Sequence, residues 1–103
     1  MTKTKELIGD ALDWAVATAM KCPPPYFDDK GRAAPFSTDW AQGGSIIERE
    51  KIAIETGEDA FDQPWYATVR DIDSYGPTPL IAAMRCFVAS KLGDEVEIPE
   101  ELL

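Results

Sequence analysis

The sequence predicts an α+β domain with two helices packed on one face of a small antiparallel sheet. A helical repeat of apolar residues lies near the N-terminus, alternating apolar residues occupy the middle of the chain, and a second helical stripe is opened by a proline and closed by a glycine. The chain has 103 residues, a size at which a single domain over 1–103 can be stable without metal or disulfide staples.

Thr4 is placed to cap the first helix, whose apolar positions Leu7, Ile8, Ala11, Leu12, Ala15, Val16, Ala19 and Met20 recur three and four residues apart. Gly9 weakens the first turns by about 1 kcal/mol relative to alanine, which moves the expected start toward Asp10. The helix should end near Met20, because Pro23, Pro24 and Pro25 forbid its continuation. Residues 22–36 then read as a long loop that packs Tyr26 and Phe27 over the core, with an acidic turn around Asp28, Asp29 and Gly31.

Ser37 to Gly44 reads as a second loop ending in a Gly-Gly turn, and Ser45 to Ile47 and Ile52 to Glu55 read as strand, with Ile52 and Ile54 directed inward. Beyond a turn at Gly57, Pro64 to Arg70 alternates, placing Trp65, Ala67 and Val69 on one face and Tyr66, Thr68 and Arg70 on the other. Gly76-Pro77-Thr78-Pro79 signals a helix start, since Thr78 can cap and Pro79 fills a first position where its missing N–H does not matter. The second helix carries Leu80, Ile81, Met84, Phe87, Val88 and Leu92 on its core stripe and ends at Gly93. Asp94 to Leu103 is acidic, with Val96, Ile98, Leu102 and Leu103 interspersed, and reads as an edge strand or as a tail that docks on a partner.

Nineteen acidic and ten basic residues give a net charge of −9, so the mean field repels DNA, RNA and anionic membranes. No nucleic-acid or membrane partner is expected. A small anion would have to find a local cluster among Arg49, Lys51, Arg70 and Arg85. The chain has no histidine, which removes the usual general base and the commonest metal ligand. Cys22 and Cys86 make neither a disulfide framework nor a zinc site, and Cys86 reads as a small buried hydrophobe within its helix. Asp71 and Asp73 ahead of Gly76 match part of a calcium loop, but Tyr75 and Ala82 stand where oxygen ligands are needed. No catalytic residue, metal ligand or cofactor is therefore expected. There is no apolar run of about 18 residues and no signal-type block, so the expected location is the cytoplasm.

The segment Thr38, Asp39, Trp40, Gln42, Gly43 and Gly44 admits two readings. In one, the tryptophan plugs the core and the aspartate caps local backbone. In the other it is a ligand loop: the glycines let backbone N–H groups approach an anion, the indole stacks on a base, and Asp39 or Gln42 reads a sugar or base edge. Thr78 either caps its helix or meets a phosphate at the helix start. Trp65 and Arg85 complete the candidate set, although Arg85 could equally lie over the core or pair with an acid from the sheet.

The stretches STDWAQGGSIIERE at 37–50, GPTPLIAAMRCFVASKLGDEVEIPEEL at 76–102 and ELIGDALDWAVA near the N-terminus resemble the NinX-like family of small phage proteins. The resemblance implies a phage origin and an intracellular setting in an infected bacterium, and it implies no reaction. The leading expectation is a non-enzymatic sponge, an oligomer in which the 37–47 loop, Trp65 and the start of the second helix enclose a nucleotide-derived host immune signal of the cyclic dinucleotide or ADP-ribose type. The alternative is an acidic inhibitor or adaptor that docks on a basic host protein, with the 94–103 tail as part of its surface. Metal-assisted hydrolysis through Asp39, Glu48 or Asp71 is the weakest reading, because no clustered acid motif supports it.

Overall fold

A computed structural model describes residues 1–21, 33–56 and 63–102. The triple proline, Cys22, Tyr26, Phe27, the acidic turn at 28–31, Gly57 and Phe61 lie outside the described residues. The elements are β1 (Thr2–Lys3), a 3-10 turn (Thr4–Glu6), α1 (Gly9–Ala19), α2 (Trp40–Glu50), β2 (Ala53–Thr56), β3 (Trp65–Val69), β4 (Ile72–Gly76), α3 (Pro79–Leu92), β5 (Glu95–Val96) and a second 3-10 turn (Glu100–Leu102). The α+β class is as the sequence indicates, with a third helix added.

The α1 helix starts at Gly9 rather than from a Thr4 cap. Gly9 sits at φ +60, a left-handed conformation that glycine adopts without steric cost and that swings the chain from extended Ile8 into the helix. Thr4 has a different task. Its hydroxyl donates to the Gly93 carbonyl at 2.7 Å and its N–H donates to the Asp94 carbonyl at 2.8 Å, tying the start of the fold to the end of α3. Antiparallel pairing of β1 with β5, Thr2 opposite Val96 and Lys3 opposite Glu95, extends this junction. The last segment thus folds back on its own domain, burying Val96 and Ile98.

The largest departure from the sequence reading is α2. Ser45–Ile47 is helix, not strand, and Gly43-Gly44 lies within its first turns, not in a loop turn. The adjacent glycines and the β-branched pair Ile46-Ile47 argue locally against helix, but two other terms win. The Asp39 carboxylate caps the helix by accepting from the Ala41 N–H at 2.9 Å, and the missing side chain of Gly43 lets the helix approach α3. A methyl group there would lie 2.6 Å from Leu80 Cδ1 and would also strike the Phe36 carbonyl oxygen. At its other end Lys51 adopts φ +58 and closes the helix with its N–H directed to the Glu48 and Ile47 carbonyls.

The central element is α3. Every residue from Leu80 to Val88 is buried, which a sheet on one side cannot accomplish for a whole helix circumference. β2, β3 and β4 cover one side, and α1 and α2 pack against the rest. The sheet runs in the order β2-β3-β4, all antiparallel. Its inner face carries Ile54, Trp65, Ala67, Val69, Ile72, Ser74 and Gly76; its outer face carries Ala53, Glu55, Tyr66, Thr68, Asp73 and Tyr75. Arg70, expected on the strand, instead occupies the two-residue turn between β3 and β4 at φ +55.

Candidate functional site

The nine residues singled out from sequence fall into three environments. Thr38, Asp39, Trp40, Gln42, Gly43 and Gly44 form the entry to α2. Thr78 opens α3, where its hydroxyl accepts from the Ile81 N–H at 3.1 Å, and the Gly43–Leu80 contact joins the first turns of the two helices. Trp65 is paired with Gly76, two residues before that start, and is half-buried against the core. Arg85 stands apart from these.

Several polar candidates are already engaged. Asp39 and Thr78 are helix caps. Gly43 serves packing, and the indole of Trp40 lies 3.7 Å from where a side chain on Gly44 would begin. Trp40 is 54% exposed and so does not plug the core. It remains, with exposed Thr38 and half-buried Gln42, the accessible part of the entry to α2.

Arg85 is an interior staple. Only 5% of it is exposed, its Nε donates to the Leu7 carbonyl at 2.8 Å, and one terminal nitrogen donates to Gln63 Oε1 at 2.6 Å and to the Tyr75 carbonyl at 3.0 Å. These acceptors are uncharged, and burial pulls the guanidinium below its usual range, with Glu6 acting in the opposite direction. The planar fork suits such a site, because it reaches three separated acceptors from one rigid group. It joins the segment before α1, the segment before β3 and β4 to the central helix.

Asp13 is a second buried polar anchor. Its Oδ1 accepts from the Ser37 N–H at 2.8 Å, fixing α1 to the approach to α2. Burial pushes its carboxyl above the ordinary value, against the opposing pull of Ser37. Among the described residues Ser37 Oγ is buried with no partner at hydrogen-bonding geometry. The Cys86 thiol, buried in α3, is pushed up to about 11 by loss of solvent and is a packing group, the small buried hydrophobe that the sequence indicated.

Around Glu50, at the end of α2, three cations converge. Arg49 Nε lies at 3.2 Å, Lys91 Nζ at 3.6 Å and Arg70 at 3.8 Å from its oxygens. Desolvation raises this carboxyl, but its contacts with Arg49 and Lys91 prevail and hold it below its usual range. Arg49 and Lys91 also lie in the last turns of α2 and α3, where cations complement the helix dipole. Of the four cations singled out for a small anion, Arg49 and Arg70 are thereby drawn into a structural junction with Lys91.

Sequence reasoning found only part of the sheet's outer face. There Tyr66 and Tyr75 sit directly opposite each other, ring centroids 5.0 Å apart and tilted by 49°. The Tyr66 hydroxyl donates to Asp73 Oδ2 at 3.0 Å, and this bond holds the phenol above its usual range. Beside this face run two adjoining cavities. One of about 520 Å³ is lined by Lys3, Thr4, Lys5, Asp73, Ser74, Ala89, Asp94 and Glu95. The other, about 490 Å³, is lined by Lys5, Glu6, Gln63, Asp73, Ser74 and Tyr75. Neither includes any of the nine sequence-derived residues. The alternation of Tyr66 and Thr68 gave half of the outer face; Asp73 and Tyr75 were hidden because 71–76 did not read as a strand.

No described helix is long and apolar enough to cross a membrane. Among the described residues there is no group of three or more side chains suited to hold a metal ion. Comparison with curated proteins finds no match. The protein-family model described as Bacteriophage P22, NinX matches residues 3–91. That span holds α1, α2, the three-stranded sheet and all but the last residue of α3, and the chain belongs to this phage protein family.

Proposed function

We propose that the protein is a non-enzymatic binding protein that acts in the cytoplasm of the infected bacterium and antagonises the host by docking on a basic surface of a host protein. The observation that carries this reading is the outer sheet face, where Glu55, Asp73, Tyr66 and Tyr75 lie together without a basic residue among its six positions. Tyrosine supplies contact area at low entropic cost, and carboxylates steer a cationic partner, the more so on a chain of net charge −9. Affinity capture from host lysate at low and high salt tests it. A defined host protein should be retained at low salt and released at high salt; a set of retained proteins unaffected by salt, or none, refutes the reading.

A second reading, sequestration of a nucleotide-derived immune signal by an oligomer, is favoured by one feature. The exposed indole of Trp40 lies over Gly44 beside the joined starts of α2 and α3, where an aromatic face for a base adjoins two helix N-terminal ends. In this reading the enclosing wall comes from a second copy. Calorimetric titration with cyclic dinucleotides and ADP-ribose derivatives should give tight binding without turnover, lost in Trp40→Ala. Silence across the panel refutes it.

A further inference from the structure

Resting on the docking reading, we propose that the free edge of β4 pairs with an extended, arginine-bearing segment of a basic partner protein, which lies in the two cavities beside that edge. Three independent features lead there.

The first is the backbone. Val69 and Ile72 flank the two-residue turn as a hydrogen-bonded pair, so the N–H and C=O groups of Asp73 and Tyr75 point away from β3. The Tyr75 carbonyl is met from that side by Arg85. The Asp73 N–H and C=O and the Tyr75 N–H have no backbone partner among the described residues. An open edge of this kind is a template for strand addition.

The second is room. The cavities share Lys5, Asp73 and Ser74, so they form one trough along β4, walled on the far side by the 3-10 turn after β1. The third is charge and stacking. Asp73, Glu6, Asp94 and Glu95 outnumber Lys3 and Lys5 along the trough, and the tilted rings of Tyr66 and Tyr75 offer a face on which a guanidinium stacks. A second copy of this chain paired edge to edge would bring its own Asp73 against these carboxylates, which disfavours self-pairing.

The test titrates the full chain with a short amidated peptide alternating arginine and valine, read by amide chemical shifts. Shifts should concentrate on Asp73, Ser74 and Tyr75. The same peptide with alternate backbone nitrogens methylated should lose binding, the lysine analogue should bind more weakly, and Asp73→Asn should weaken the arginine peptide by about tenfold. Thermal unfolding of Asp73→Asn checks that the fold is intact. Equal binding of the methylated peptide, equal binding by Asp73→Asn, shifts spread over the whole acidic surface, or self-association through β4 each overturns the proposal. The broader docking reading fails separately: it falls if no salt-sensitive host complex forms, and it survives this proposal's failure if that complex forms equally with Asp73→Asn.

Discussion

Gly43 and Leu80 meet where α2 crosses the start of α3, at a separation that leaves no space for a β-carbon. Gly43→Ala should therefore destabilise the protein by about 1–3 kcal/mol, overpacking outweighing the gain of about 1 kcal/mol in helix propensity. At the neighbouring Gly44 the nearest obstacle is Trp40 at 3.7 Å, an ordinary contact. Gly44→Ala should be neutral or stabilising by up to about 1 kcal/mol. Urea denaturation of the two variants side by side checks both signs.

Arg85 satisfies the Leu7 and Tyr75 carbonyls and the Gln63 amide oxygen from one guanidinium. Arg85→Met keeps the apolar stem but strands these acceptors, and should lower stability by about 2–4 kcal/mol. Arg85→Lys should recover less than half, because a single ammonium cannot span the fork. Equilibrium denaturation measures the order wild type, lysine, methionine.

Asp13 gives the protein a pH dependence of defined sign. Its native carboxyl is raised above the ordinary 3.8, so the folded state holds that proton more tightly than the unfolded chain. Its contribution is fully present below 3.8 and is lost as pH rises through the raised native value. Asp13→Asn stays neutral throughout. The variant's stability relative to wild type should therefore rise with pH across that window and then level, measured by urea unfolding at a series of pH values.

Glu50 behaves oppositely. Its native carboxyl is depressed below 4.5 by Arg49 and Lys91 in spite of desolvation. The stabilising effect is present above 4.5 and is lost as pH falls through the depressed native value. Wild type should thus lead Glu50→Gln at neutral pH, and the lead should shrink on acidification and in high salt.

Local punctuation made much of this fold legible. Gly76, Thr78, Pro79 and Gly93 mark α3 almost to the residue, and the period-two alternation from Trp65 to Val69 marks β3. Where the deciding contact is distant in sequence, the reading failed. Gly43 and Gly44 look like a turn until Leu80 is placed against them. β4 escaped because its inward positions include Ser74 and Gly76, small groups that let α3 come close but carry no apolar signal. The candidate site shows the same division. Asp39 and Thr78 act on neighbours two and three residues away, and their capping was readable. Arg85 serves Leu7, 78 positions distant, and its structural role was not.

The bonds from Thr4 to Gly93 and Asp94 make the strand before α1 and the strand after α3 a single clasp. Drawn apart at Thr2 and Val96, which lie at the same end of that antiparallel pair, the clasp would open rung by rung toward Thr4 before the central helix felt any tension. Cutting either half would release the other, so nicking at one edge of the molecule loosens both.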